Sequence, residues 1–142
     1  MIKEWRNQLF HIINPEINIS TSLDVNLHPL GFPLSLAEGT RILGICYRTW
    51  KRWETLAIAI PEYKLQQIQM LNRASSFNAT PPIVPYQVWV VGKIGEIYQE
   101  LPHGMGKKWM AQEYLNAKKS EFTREEYRRE QERLVSNVLN EE

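Results

Sequence analysis

A dozen residues near the middle of the chain carry a concentrated positive charge. Residues 41–52 contain four basic side chains and no acidic one, so this segment has a charge of +4, whereas the whole chain has a net charge of +1. A local basic patch of this kind attracts phosphate groups. Arginine and lysine bind phosphates or guanine edges, and tyrosine and threonine hydroxyls add phosphate contacts. The candidate DNA-binding residues of this segment are Arg41, Tyr47, Arg48, Thr49, Lys51 and Arg52.

Residue types that bind metals or nucleotides, or that catalyse reactions, do not occur at the spacing that such sites require. Cys46 is the only cysteine, and the histidines His11, His28 and His103 lack the spacing of metal ligands. The chain contains no glycine pattern that binds a nucleotide, and its glutamates show no pairing that favours acid–base catalysis over solvation. The sequence therefore predicts no catalytic, cofactor-binding or metal-binding residues, and a protein that is not an enzyme.

The length and composition indicate an ordinary globular chain. It has 142 residues, of which 43% are hydrophobic and 23% charged, so collagen and polar disordered chains are excluded. Polar residues such as Glu4 and Arg6 interrupt the apolar N-terminal stretch, which therefore resembles neither a signal peptide nor a membrane-spanning helix. A single cysteine argues against secretion. We expect a cytoplasmic protein without a membrane partner.

The elements that must position the basic segment are predicted to be helices. Ser35 and Glu38 form a capping-box pattern, which predicts a helix over Leu36–Leu43 that Gly44 ends. A second helix follows, with Trp50 and Trp53 on its buried face. The basic side chains of this helix then point outward.

A third helix is predicted to begin at Pro61, because proline is favoured in the first helical turn. It carries Leu65, Ile68 and Leu71 on one side.

Residues 38–54 read EGTRILGICYRTWKRWE, an order that matches a known motif. An acidic residue and two small residues come first, Leu43, Gly44 and Ile45 follow at the turn, and residues 48–54 read Arg-Thr-Trp-Lys-Arg-Trp-Glu. This order resembles the helix-turn-helix of the phage-repressor (Xre-like) family over residues 34–74. The resemblance implies sequence-selective binding to double-stranded DNA, in a transcriptional regulator of a mobile element, plasmid or similar locus.

Members of that family have a helix immediately before the motif, and here Pro29, Gly31 and Pro33 occupy this space. The nearest candidate is a short helix predicted over residues 3–13, where Trp5 and Leu9 follow helical spacing. The intervening residues 14–33 suit a strand or an extended loop.

The same central segment also permits a β interpretation. TRILGICY and WETLAIAI can each form a strand, with RTWKR as the turn between them, in a hairpin of a small SH3-like β-barrel with terminal helices. The basic residues then belong to a solvated turn. Under this alternative, the protein is a non-enzymatic protein-interaction or assembly module.

The second half of the chain is predicted to contain a β-hairpin and two helices. Residues 75–85, SSFNATPPIVP, indicate a linker or loop. The next sixteen residues, YQVWVVGKIGEIYQEL, contain two β-prone runs separated by Gly92 and Gly95, a pattern typical of a hairpin. One helix then includes Trp109, which we expect in the core together with Trp89.

The last helix is predicted from residue 124 to about residue 139, because Thr123 and Glu126 form a second capping box. One face of this helix is apolar and offers an interface for a homodimer. The residues of that face are Tyr127, Leu134, Val135 and Val138.

Together these patterns predict an α+β fold: a helix-turn-helix half over residues 1–74, a linker or loop over 75–85, and a β-hairpin with two C-terminal helices over 86–142.

Overall fold

A computed structural model describes residues 4–13, 33–73, 81–104 and 106–140 of the chain. These residues form seven α-helices and one short 3₁₀ helix, Lys119–Phe122, which precedes the last of them. The α-helices are α1 (Trp5–Ile13), α2 (Leu36–Leu43), α3 (Tyr47–Ala57), α4 (Pro61–Arg73), α5 (Pro85–Glu100), α6 (Lys107–Ala117) and α7 (Arg124–Asn140).

The described residues contain no β-strand, and their β pairing is limited to one antiparallel bridge between Leu34 and Ile83. The predicted α+β class is therefore wrong. The SH3-like barrel is also wrong, because the two proposed strands lie in α2, α3 and the turns that follow them. Residues 86–100, predicted as a β-hairpin, belong to the single helix α5.

Helix α5 lies at the centre of the fold and contacts all six other α-helices. Every residue from Pro85 to Gly92 is buried. A helix that is buried on all sides is apolar on all sides, so its sequence shows no helical period. Its valines and tryptophan also favour strands by intrinsic preference, and burial against the neighbouring helices overrides that preference. This is the physical reason for the wrong hairpin prediction.

Two glycines of α5 bring tryptophans close to its backbone. A Cβ atom at Gly92 would lie 2.6 Å from Trp5 Cζ2, and one at Gly95 would overlap the ring of Trp53. The prediction that these glycines mark a turn is therefore wrong. They provide the space in which α1 and α3 pack against the central helix.

The predicted helices around the basic segment are confirmed. The Glu38 amide donates to Ser35 Oγ at 3.1 Å, and the Ser35 amide donates to Glu38 Oε1 at 2.9 Å, so both bonds of the capping box are present. Gly44 adopts a left-handed conformation with φ of 69° and ends α2. Helix α4 begins at Pro61, as the sequence indicates.

The two C-terminal helices are also confirmed. The Glu126 amide donates to Thr123 Oγ1 at 3.2 Å at the start of α7. Trp89 is buried as predicted, with 1% of its surface exposed, but Trp109 is 63% exposed. The core position predicted for Trp109 is therefore wrong.

Polar bonds join the N-terminal helix to the central and C-terminal ones. Arg6 pairs with both Glu96 and Glu130. The indole of Trp5 donates to Glu96 at 3.0 Å, and the indole of Trp89 donates to Glu130 at the same distance. Each carboxylate thus accepts from one indole and from the shared guanidinium, which fixes α1 and α7 on α5.

One hydrophobic core contains residues from both sides of the 75–85 segment, from Trp5 in α1 to Tyr127 in α7. The extended region predicted before Pro33 lies outside the described residues, as does the greater part of the predicted linker. Among the helices of the described ranges, none is long and apolar enough to cross a membrane.

Candidate nucleic-acid interface

The basic segment lies in α2, a short turn and α3. Ile42 and Leu43 of α2 are buried, and Ile45 in the turn packs partly against the core. The Ile45 amide donates to the Thr40 carbonyl at 3.1 Å, so the turn is closed by the backbone itself. Helix α1 contacts α2, and α2 contacts α3. Helix α1, although distant in sequence, therefore supports the pair.

Helix α3 has two sharply different faces. Trp50, Trp53 and Leu56 are almost fully buried, and these residues face the core. The other face is exposed to solvent at positions that recur by one and four residues, so their side chains form one stripe along the helix. The stripe, which we call the basic face, consists of Tyr47, Arg48, Lys51 and Arg52.

The remaining two predicted site residues flank the basic face. Arg41 lies in the last turn of α2 and is exposed. Thr49 is half-buried, and its hydroxyl lies 3.4 Å from the Cys46 sulfur at the start of α3. The hydrogen bond with the Thr49 side chain lowers the pKa of the Cys46 thiol. Thr49 is therefore already engaged within the chain.

The basic side chains of this region differ in whether they form ion pairs. Lys51 Nζ lies 3.8 Å from Glu54 Oε1 and 5.8 Å from the centre of the Tyr47 ring. Arg41, Arg48 and Arg52 form no ion pair with any residue that the structure describes. Three guanidinium groups consequently remain free to bind an anion.

A buried polar cluster lies behind α3, and sequence reasoning missed it. The Tyr63 hydroxyl donates to Glu54 Oε2 at 2.7 Å, and Gln67 Nε2 donates to the same oxygen at 3.3 Å. Burial, with the nearby charge of Glu54, raises the pKa of Tyr63 well above 10, so its hydroxyl remains a donor. The available signal was spacing, since Glu54 follows Trp50 by four residues and thus shares its buried side.

The apolar stripe predicted on α4 faces solvent. Leu65, Ile68 and Leu71 are exposed by 51%, 43% and 53% respectively, whereas Tyr63 and Met70 turn into the core. Apolar spacing alone thus identified the helix but not its buried face.

The predicted dimer face on α7 is divided by the structure. Tyr127 is fully buried and packs edge-on against Trp89, with ring centres 5.3 Å apart. Leu134 and Val135 are half-buried, and the side chain of Val138 lies outside the described residues. Tyr127 belongs to the core of its own chain, so the dimer stays a prediction that depends on the far end of α7.

Within the described residues, no three side chains among His, Cys, Asp and Glu are grouped so that they could hold a metal ion. Cys46, His11 and His103 are all exposed. No known protein family, curated protein or solved structure matches this chain.

Proposed function

We propose that the chain binds double-stranded DNA selectively through the basic face of α3, as a cytoplasmic transcriptional regulator of a mobile element, plasmid or similar locus. One observation carries the proposal: α3 exposes Arg48 and Arg52, which have no ion pair among the described residues, and buries Trp50 on its other side. Such a helix presents cations outward while its opposite side is fixed to the core.

The dimensions of α3 suit the major groove. Its eleven residues span about 16 Å, and the groove is about 12 Å wide, so a turn or two of the helix can enter it. In helix-turn-helix proteins the N-terminal residues of the second helix contact base edges. Tyr47 and Arg48 occupy these positions, and a free guanidinium can donate two hydrogen bonds to one guanine. Arg41, exposed on the preceding helix, would bind a phosphate.

The anchoring of α3 favours tight binding. Trp53 packs on Gly95 of α5, and Trp50 is buried beside Gly39 of α2. A surface that is already rigid loses less conformational entropy when it binds.

The test is selection of a duplex from a random library, followed by affinity measurements on variants. Arg48→Ala should weaken binding to the selected site by about 1–3 kcal/mol, because a base contact is lost. Arg41→Ala should weaken binding to all sequences about equally, because a phosphate contact carries no sequence information.

A triple variant, Arg48→Ala with Lys51→Ala and Arg52→Ala, should lose selective binding. The matched control removes three exposed lysines elsewhere, Lys108, Lys118 and Lys119, and so changes the net charge equally. Full DNA affinity in the first triple variant rejects the proposal. Equal loss in both triples indicates only general attraction between charges.

A symmetric dimer forms part of the proposal, since repressor-type proteins bind two half-sites about one duplex turn apart. Removing α7 would expose the core around Tyr127, so the sharper variant is Leu134→Glu at the half-buried end of the helix. Sedimentation should show a dimer that this variant converts to a folded monomer. A full-length monomer at tens of micromolar rejects the dimer.

A further inference from the structure

A small cavity lies between α3, α4 and the segment that enters α5. Its volume is about 190 Å³. Trp50, Met70, Pro82 and Ile83 form apolar parts of its wall. An apolar cavity of about 150 Å³ can hold benzene, so this one has room for a single aromatic ring with a short substituent.

One wall of the cavity carries the Glu54 carboxylate, one oxygen of which accepts no hydrogen bond from a described residue. Glu54 is 9% exposed, and its Oε2 accepts hydrogen bonds from Tyr63 and Gln67. Within the described part of the chain, Oε1 faces only the Lys51 ammonium, 3.8 Å away. That distance exceeds a hydrogen bond, and the Lys51 side chain is 56% exposed. A largely buried carboxylate is stabilised most by a cation that donates to it directly.

We infer that this cavity binds a small aromatic amine. The protonated amine donates to Glu54 Oε1, and its ring lies against Trp50 and Met70. Gln67 also lines the cavity, and the carbonyl oxygen of its amide can accept a second ammonium hydrogen. An aromatic acid would bring a second negative charge next to Glu54, and a neutral alcohol would supply no cation closer than the Lys51 ammonium.

The site also borders the basic face, because Tyr47 and Lys51 line it. An amine at Glu54 replaces Lys51 as the partner of the carboxylate and leaves that lysine free for a phosphate. This consequence rests on the proposed DNA-binding function. Amine binding itself does not, and it is measured without DNA, so the failure of either idea is recognised separately.

The experiment is calorimetric titration of the full chain with benzylamine and phenethylamine, with benzyl alcohol and phenylacetate as controls. We expect one amine per chain, bound at least about tenfold more tightly than the alcohol, because a hydrogen bond between charged groups is worth that factor or more. Phenylacetate should not bind. No binding of either amine at millimolar concentration, or equal affinity for benzylamine and benzyl alcohol, overturns the inference.

Two variants on α3 should change the affinity in opposite directions. Glu54→Gln keeps an acceptor for Tyr63 but removes the charge, so amine affinity should fall at least about tenfold. Lys51→Met removes the competing ammonium, so amine affinity should rise. Glu113→Gln, at an exposed position of α6, is the matched control and should leave the affinity unchanged.

Circular dichroism shows whether Glu54→Gln keeps the helical fold. If the folded variant binds benzylamine as the wild type does, the inference is wrong. If the variant is unfolded, Lys51→Met decides: tighter binding supports the site, and unchanged or weaker binding overturns it.

Discussion

Helices α3 and α5 pack on each other, yet they use their surfaces in opposite ways. Helix α3 buries one face, which includes Trp50 and Trp53, and exposes Arg48 and Arg52 on the other. Helix α5 is buried on every side over its first eight residues. Helix α3 therefore has one packed face and one solvated face, whereas almost all residues of α5 take part in packing.

Because of this difference, residues on the exposed face of α3 can change to form a binding surface, whereas residues packed between α3 and α5 cannot. A residue on the basic face can change without disturbing the core, because its neighbours are solvent. A residue in the interface between α3 and α5 cannot change without disturbing the core, because it packs against the other helix. Substitutions on the two surfaces should therefore differ in their effect on stability.

The largest effect should come from the two buried tryptophans of α3. Trp53→Ala and Trp50→Ala should each lower the free energy of unfolding by about 3–5 kcal/mol, because each leaves a cavity beside the core. Chemical denaturation followed by circular dichroism measures the change.

Trp109, exposed by 63% on α6, is the matched control for these tryptophans. Trp109→Ala should change the free energy of unfolding by less than about 0.5 kcal/mol. If Trp109→Ala proved as damaging as Trp53→Ala, the division into packed and solvated surfaces would be refuted.

The next effect should come from Gly95 on α5. Alanine is normally the better helix former by about 1 kcal/mol, but the Gly95→Ala methyl group would overlap the buried Trp53 ring. The overlap should prevail and lower the free energy of unfolding by about 1–3 kcal/mol. Gly106→Ala, where no atom lies within 4 Å of the added Cβ, should cost less. A stabilising Gly95→Ala would show that the two helices are less tightly packed.

Buried tyrosines should make the fold sensitive to alkali. Burial raises the pKa values of Tyr63, Tyr86 and Tyr127 above the ordinary value of 10. Above pH 10 the unfolded chain loses protons that the folded chain keeps, so stability present below pH 10 is lost as the pH rises. Each tyrosine contributes about 1.4 kcal/mol per pH unit. Burial lowers the pKa of Lys93, so this one group has the opposite effect on stability as the pH rises.

Denaturation midpoints at pH 9 and pH 11 measure this loss of stability. Tyr86→Phe, on the central helix, removes one of these titrating groups. Above pH 10, the free energy of unfolding should therefore fall less steeply with pH, by roughly 1.4 kcal/mol per pH unit. An unchanged slope in that variant would mean that the Tyr86 hydroxyl ionises as readily in the folded chain as in the unfolded one.

The smallest effect on stability should come from the basic face. Arg48→Ala and Arg52→Ala should each change the free energy of unfolding by less than about 0.5 kcal/mol, because neither arginine has an ion pair in the described structure. Thermal melting beside the wild type checks this. A loss of several kcal/mol would show that these arginines contribute to the packing of the core and do not belong to a solvated binding surface.

Sequence patterns alone are enough to predict the helices that have one exposed and one buried face. Residues 36–43, the helix after Gly44 and the start of α4 at Pro61 could all be predicted, because capping and turn residues act over a few positions. The exposure of Arg48 and Lys51 followed from the same period. The contact between the Thr49 hydroxyl and the Cys46 sulfur could not be predicted from that period.

Sequence patterns do not show which apolar stripes become buried or which glycines lie at contacts between helices. Leu65 and Trp109 belong to apolar patterns like those of the core, yet no part of the chain that the structure describes covers them. Gly92 and Gly95 resemble turn residues until Trp5 and Trp53 are placed against them. The first eight residues of α5 show no alternation of apolar and polar faces, because they are buried on every side and solvent does not create a polar face there.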